Sequence, residues 1–353
     1  MSEWLGPLLA IGRRWIARGR PTRPEEWKRV LLLGADHIGD VLYRTVGLKQ
    51  LAASFPKCEF VFAVNTATSV LLERNPAVSL LCMERELERL GVMALAKTIR
   101  CAAVDTVICY DTTGYMKPVI ATALAGVPNC VAYTHKGFSG LVTHAAPIRY
   151  PQPFVAYFRD LVEYLTKVPV TSLRPEVILS RGDIQRALKL ETSFGLSSSR
   201  WVVASVTSRQ RNHPSTQRQM IASLVEVKRR AGVAIVLSGS ASDEALLRKL
   251  AQEGGLECFY QTGRLSLLEA IAFFKLAAVA FCLDSGPRHM ANAAGIPVVF
   301  CRNLQFSKVE AGAYLESESD IAPDCEHVSY ASSCIPPLFS VEDAVAAILK
   351  HLV

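Results

Sequence analysis

The chain reads as α/β, with two similar halves that each carry a parallel sheet. Three observations support this. Short apolar runs such as 30–33 (VLLL) recur along the whole chain with helical segments between them, the alternation that parallel sheets require. These runs are almost continuously apolar rather than alternating, as strands covered on both faces must be. At 353 residues the chain is too long for one core, and the plan of its first half restarts near Trp201.

In order, 30–33 is a buried strand led by Lys28 and Arg29. Gly34 breaks it, and a loop runs to Gly39. From there Val41, Leu42, Thr45, Val46, Leu48 and Leu51 have helical spacing. Phe55-Pro56 turns the chain into a second strand, 58–64 (CEFVFAV). A short helix is expected over 68–74, stopped by Asn75-Pro76. A charged helical region follows over 84–100, with Leu87, Leu90, Leu95 and Ile99 inward. The strand 104–110 (VDTVICY) stops at Asp111-Thr112-Thr113-Gly114. A helix through 119–124 ends at Gly126-Val127-Pro128, and the strand 130–133 leads into a loop with His135 and Lys136. After Pro147, Pro151 and Pro153 comes a helix holding Phe158, Leu161, Val162 and Leu165, then 168–175 (VPVTSLRP) as the linker.

The second half begins with an extended piece at 176–179 and a helix over 184–194. The strand 201–206 (WVVASV) precedes a loop with Arg209 and Arg211, and a helix spans 217–229. The strand 233–237 ends in Ser238-Gly239-Ser240, before a helix through Leu246, Leu247 and Leu250. Next come the strand 258–260, Thr262-Gly263-Arg264, and a helix over 266–276 containing Glu269. The strand 278–283 ends at Asp284-Ser285-Gly286-Pro287, and a helix carrying His289 and Asn292 closes at Gly295-Ile296-Pro297. A strand at 298–301 and a C-terminal helix over 341–352, capped by Ser340 with Asp343 at its third position, complete the chain.

Ligands of such sheets bind beyond the carboxyl ends of the strands, so the loop 34–40 matters most in the first half. It is neither a dinucleotide fingerprint nor a phosphate loop. Only Gly34 and Gly39 are present, and Asp40 stands where a phosphate loop has Lys. A carboxylate there repels phosphate and suits a general base, with a simple helix cap as the alternative. In the second half, Asp284-Ser285-Gly286 opens a helix whose N–H groups and dipole favour an anion such as a diphosphate. Arg288 or His289 would add charge there, and Asp284 would bind a ribose or sugar hydroxyl. Arg209 and Arg211 would neutralise the diphosphate, and Glu244 would meet ribose hydroxyls. Asp111, Thr112, His135 and Lys136 are the acceptor-side candidates. Two such halves facing each other would leave a cleft between a donor and an acceptor.

Lys and Arg exceed Asp and Glu by 39 − 32 = 7, a moderate basic excess suited to nucleotide phosphates or acidic lipid. No long basic run argues for nucleic acid. Ten cysteines are dispersed without a C-x-x-C pair, as in a reducing cytoplasm. Cys325 and Cys334 are the one pair that could share a metal or a bridge. Residues 1–20 mix Trp4, Leu5, Leu8, Leu9, Trp15 and Ile16 with Arg13, Arg14, Arg18 and Arg20. That pattern is too short and charged to span a bilayer but suits an anionic membrane surface, with a packed helix or an extension as alternatives.

RVLLLGADHIGDVLYRTVGLKQL, followed by the NPAV segment, resembles the opening of glycosyltransferase family 9, the ADP-heptose:lipopolysaccharide heptosyltransferases. GRLSLLEAIAFFKLAAVAFCLDSGPRHMANAAGIPVVF is similar to that family's more specific block, with its Asp-Ser/Thr-Gly-x-x-His signature. The resemblance runs over 28–300, and the two motifs lie about 245 residues apart (284 against 40). It implies a GT-B fold: two Rossmann-like domains with parallel sheets facing across a cleft. The expected layout is an N-terminal extension (1–27), an acceptor domain (28–170), a nucleotide-sugar domain (171–340) and a C-terminal helix (341–353). The resemblance also implies metal-independent inverting transfer with no cofactor. Asp40 would be the base, and Asp284, Ser285, Gly286 and His289 would hold the ADP-sugar, with Arg211 at the diphosphate. The acceptor would be lipopolysaccharide, reached at the cytoplasmic face of the inner membrane.

Three departures stand out. Arg211 and His213 replace the family's Lys and Trp. The acceptor loop is Asp111-Thr112-Thr113-Gly114 instead of Asp-x-Gln-Gly. Arg288 replaces a commonly apolar residue. They leave a different sugar or acceptor open, a glycolipid or a protein, as well as a non-catalytic nucleotide-sugar binder.

Overall fold

The structure is a computed structural model that describes residues 19–35, 37–83, 89–110, 116–133, 139–197, 199–208, 214–323 and 339–352. The chain divides into two compact units at Leu173/Arg174.

Unit 1 holds six strands: β1 (Arg29–Ala35), β2 (Glu59–Asn65), β3 (Ser79–Met83), β4 (Thr106–Cys109), β5 (Asn129–Tyr133) and β6 (His144–Ala146). Their order is β3-β2-β1-β4-β5-β6, and every pairing is parallel. Unit 2 holds β7 (Trp201–Ser205), β8 (Ala234–Leu237), β9 (Phe259–Tyr260), β10 (Val279–Leu283), β11 (Val298–Cys301) and β12 (Glu318–Asp320). Their order is β12-β11-β10-β7-β8-β9, again all parallel. Both sheets are doubly wound about a central pair, so the chain reverses its direction of travel across each sheet once. The switch points fall between β1 and β4 and between β7 and β10.

The cores follow from the apolar runs. In unit 1, Leu31, Leu33, Val61, Val107 and Cys130 on the sheet meet Leu95, Ile99 and Val119 from helices Val92–Cys101 and Met116–Ala125. In unit 2, Val202, Ala204, Ile235, Leu237 and Phe281 meet Ile221, Leu224, Leu247, Val345 and Ile348. The last two belong to the C-terminal helix Val341–Leu349, which is thus part of the core of unit 2. Ser340 caps it by accepting from the Asp343 N–H at 3.3 Å. Gly295 closes the helix that follows β10 in a left-handed conformation (φ +81°). A Cβ there would also lie 2.9 Å from Nη1 of Arg174.

The structure corrects the element reading in several places. The helical spacing from Val41 to Leu51 is divided between two helices, Ile38–Tyr43 and Leu48–Ser54, with Gly47 left-handed between them (φ +84°). The expected helix over 68–74 is a single 3-10 turn, Ser69–Leu71. Asn65 and Thr66 take the local hydrogen bonds of Ala67, Thr68 and Ser69, which compete with helix propagation. β3, β6 and β12 are edge strands of five, three and three residues, too short to carry a periodic signal. Residues 84–88 of the expected charged helix lie outside the described residues.

Among the described residues no helix is long and apolar enough to cross a membrane. None of the eight described cysteines is in a disulfide. Cys325, Cys334 and residues 1–18 lie outside the described residues.

Candidate functional site

In unit 1 the site begins with a fault in the sheet. Leu32 of β1 pairs with Phe62, but Ala35 pairs with Val64, so β1 carries one extra residue at its carboxyl end. Such a bulge bends a strand and re-aims the chain beyond it. The next helix, Ile38–Tyr43, buries Val41 and Leu42 and leaves Asp40 on its outer side, with its side chain 39% exposed. His37 is the N-cap, and no side-chain hydrogen bond caps this helix, so Asp40 is not its cap residue. Instead Arg44, one turn on, donates from Nη1 to the Asp40 carbonyl at 2.8 Å and lies 3.4 Å from Oδ1. The Arg44 guanidinium stacks 4.5 Å from the ring centre of Tyr110, the residue after β4. Asp40 is thus an accessible carboxylate at the switch point, beside a cation tied to the neighbouring strand. Asp111 and Thr112 after β4, and His135 and Lys136 after β5, lie outside the described residues.

In unit 2 four of the expected residues meet at one junction. β10 is wholly buried and delivers Asp284, Ser285 and Gly286 to the start of helix Gly286–Ala294, which carries His289. Ser285 sits at the N-cap in extended backbone, but its hydroxyl turns back to donate to the Leu283 carbonyl at 3.3 Å. No side-chain hydrogen bond therefore caps this helix start, which leaves its dipole to an anion.

Arg288 does not add charge to this junction, contrary to the sequence reading. Its side chain is fully buried, and all five of its N–H groups are committed inward. Nε and Nη2 donate to Glu318 at 2.6 and 3.1 Å, and Nη1 donates to Asp284 Oδ1 at 2.9 Å. The remaining two donate to the carbonyls of Ala311 and Gly312 at 2.7 and 2.6 Å. The guanidinium also lies 3.5 Å from the ring centre of Phe300. Arg288 is a strut between the helix start, the edge strand β12 and the 311–312 backbone.

His289 adds no charge either. Burial, reinforced by the Arg288 charge, pushes its imidazole well below the usual range, so it is neutral at pH 7. Nδ1 lies 3.2 Å from the Tyr314 hydroxyl. For Asp284, burial pushes the carboxyl above the ordinary range, while Arg288 pulls against it; one guanidinium serves two carboxylates here.

Glu244 opens helix Glu244–Gly254 after β8, two strands from Asp284 on the same carboxyl edge. Arg248 holds its carboxylate below the usual range. Arg248 donates to it at 2.7 and 2.9 Å and stacks on Tyr260 at 4.3 Å. β7 ends beside β10, but Arg209 and Arg211 lie outside the described residues. A recess of about 520 Å³ between Phe194, Arg200, Gly232 and Phe259 opens at the opposite, amino-terminal edge of this sheet, away from all these groups. Among the described residues no three His, Cys, Asp or Glu side chains form a metal-binding group.

The sequence reading missed Arg44, Tyr314 and Glu318. Arg44 had a signal, four residues after Asp40 on one helix face. Glu318 had none of its own, although an arginine on the inward face of a helix demands a buried acid somewhere.

The family model for glycosyltransferase family 9 (heptosyltransferase) matches residues 92–300. No curated protein matches the sequence at a significant level. Among solved structures, the family 9 glycosyltransferase from Veillonella parvula superposes with a TM-score of 0.74 at 16% identity, covering 93% of this chain and 98% of its own. ADP-heptose lps heptosyltransferase II of E. coli gives 0.62 at 20% identity, covering 92% of this chain and 100% of its own. E. coli heptosyltransferase WaaC, solved with ADP, gives 0.62 at 15% identity, covering 92% and 99%. These likenesses match the two parallel α/β sheets to GT-B heptosyltransferase structures, and the family model spans more than half of the sequence. The chain belongs to glycosyltransferase family 9, the heptosyltransferase family, and is a glycosyltransferase.

Proposed function

We propose that the chain is an inverting, metal-independent transferase that moves heptose from ADP-heptose to a lipopolysaccharide inner-core-type acceptor. Asp40 is its general base. The reading is supported above all by one observation: the accessible Asp40 carboxylate stands at the switch point of unit 1 in a chain whose family transfers sugars. Solved family relatives at low identity carry ADP and ADP-2-deoxy-2-fluoro heptose, which favours an adenosine-diphosphate donor.

In this reading Asp40 takes the proton of an acceptor hydroxyl, and the freed oxygen attacks the anomeric carbon. The bond from that carbon to the diphosphate breaks, and ADP leaves with the electron pair. The uncapped start of helix Gly286–Ala294, His289, Arg209 and Arg211 stabilise the departing charge. Glu244 is proposed to bind the ribose hydroxyls. Asp284 keeps one oxygen on Arg288 and the other 3.4 Å from the Asn303 N–H, so its part is to shape the pocket as well as to meet the sugar. Asp111, Thr112, His135 and Lys136 are the proposed acceptor contacts. Work at the cytoplasmic face of the inner membrane, with residues 1–20 on the anionic surface, completes the proposal.

The test is incubation with ADP-heptose and a truncated lipopolysaccharide, following ADP release and the anomeric configuration of the product by NMR. Release of ADP with inversion is expected. ADP release with retention of configuration removes Asp40 as a simple base, and ADP binding without turnover leaves a nucleotide-sugar binder.

A further inference from the structure

We propose that Tyr314 is the positioning residue that sets the polarity of His289, fixing its imidazole as a hydrogen-bond donor through Nε2 toward a diphosphate oxygen. The ligand in this proposal rests on the donor-site reading above; the hydrogen-bond polarity does not.

The direction of each bond is dictated by its neighbour. Glu318, paired with Arg288, is only an acceptor. Its Oε1 lies 2.9 Å from Asn292 Nδ2, which settles which end of that amide is the NH2 group. The second hydrogen of Nδ2 goes to the Tyr314 hydroxyl oxygen at 2.7 Å. That oxygen is therefore already an acceptor. An imidazole nitrogen accepts better than a phenol oxygen so engaged, so the phenol proton is given to His289 Nδ1 at 3.2 Å. With Nδ1 accepting, the single proton of the neutral ring resides on Nε2.

Two further observations fit. Asn292 Oδ1 is buried and has no hydrogen-bond partner, so the amide is held in the orientation that serves the relay rather than its own satisfaction. Tyr314 is fixed along its whole length. Its N–H donates to Glu318 Oε2 at 2.8 Å, and its ring lies near-parallel to that of His289 (6.1 Å, 24°) and 5.2 Å from the Arg288 guanidinium. The opposite polarity would turn a lone pair toward an anionic oxygen and repel it.

The experiment is long-range 1H–15N spectroscopy of the histidine rings in the full chain at pH 7. His289→Gln assigns the resonance, and ADP titration by calorimetry runs alongside. The wild type should show His289 protonated at Nε2. Tyr314→Phe, which removes one oxygen, should mix or reverse the tautomers and weaken ADP binding about 3- to 10-fold, the loss of one hydrogen bond. Asn292→Leu frees the phenol from its orienting donor and should move the tautomer balance the same way. A wild-type ring protonated at Nδ1 overturns the proposal even if both variants misfold, and so does a folded Tyr314→Phe with unchanged tautomer and affinity. If the wild type shows Nε2–H yet binds no ADP, the relay stands and the donor-site reading fails.

Discussion

Replacing Arg288 by Met tests how unit 2 is held together at its candidate site. Met has similar length and keeps apolar contact with Phe300, but it removes five hydrogen bonds and the cation shared by Asp284 and Glu318. Glu318 retains donors from Asn292, the Tyr314 N–H and the Leu315 N–H, so its charge is hydrogen-bonded but uncompensated. Removing one partner of a buried ion pair costs about 3–5 kcal/mol. The carbonyls of Ala311 and Gly312 also lose their Arg288 donors, which places the total near the top of that range. Against a typical stability of about 5–15 kcal/mol this is severe. The assay is urea denaturation followed by circular dichroism and fluorescence, with Trp201, fully buried at the start of β7, reporting on unit 2. The double variant Arg288→Met with Glu318→Gln removes the stranded charge and keeps acceptor oxygen. It should recover about 1–3 kcal/mol relative to the sum of the two single changes. A loss under about 1 kcal/mol for Arg288→Met, or strict additivity in the double variant, would refute the strut.

Three other outcomes are expected. His289 is held below its unfolded value of 6.5, so its folded form binds fewer protons. Stability relative to a His289→Gln variant should therefore be fully present above pH 6.5 and fall as pH drops below it, by up to about 1.4 kcal/mol per unit; parallel curves between pH 7 and 5 would contradict this. Arg44→Ala should lower kcat about three- to tenfold with the donor KM unchanged, because it loosens Asp40 and leaves the nucleotide site intact; a change confined to the donor KM would place Arg44 elsewhere in the reaction. Deleting residues 1–20 should reduce co-sedimentation with anionic liposomes while ADP binding persists, and unchanged sedimentation removes the membrane role.

How legible each part was in the sequence depended on how local its cause is. The central strands were readable because 30–33, 201–206 and 278–283 are apolar almost throughout, and a strand buried on both faces has little other composition open to it. The Asp40 and Asp284 junctions were readable for the same reason: a strand end, glycine and a helix start are neighbours in sequence. The edge strands β3, β6 and β12 were not, since their register comes from a neighbouring strand rather than from periodicity. Arg288 stands out in the sequence as a departure from the family pattern, but nothing local says that its charge is committed inward. Its partners Glu318, Ala311 and Gly312 lie 23 to 30 residues away, and no local pattern announces such a pairing. The neutrality of His289 was equally hidden, because it depends on burial and on that same guanidinium.

If Asp40 serves the chemistry and unit 2 holds the nucleotide, Asp40→Asn must separate two quantities measured beside the wild type: kcat with ADP-heptose and the ADP dissociation constant. Asn keeps the shape and loses the basicity. The expected result is a fall in kcat of about 10²- to 10⁴-fold, the usual contribution of a general base, with ADP affinity unchanged. A rate within a few fold of the wild type, or a loss of ADP binding in step with the rate, would contradict it.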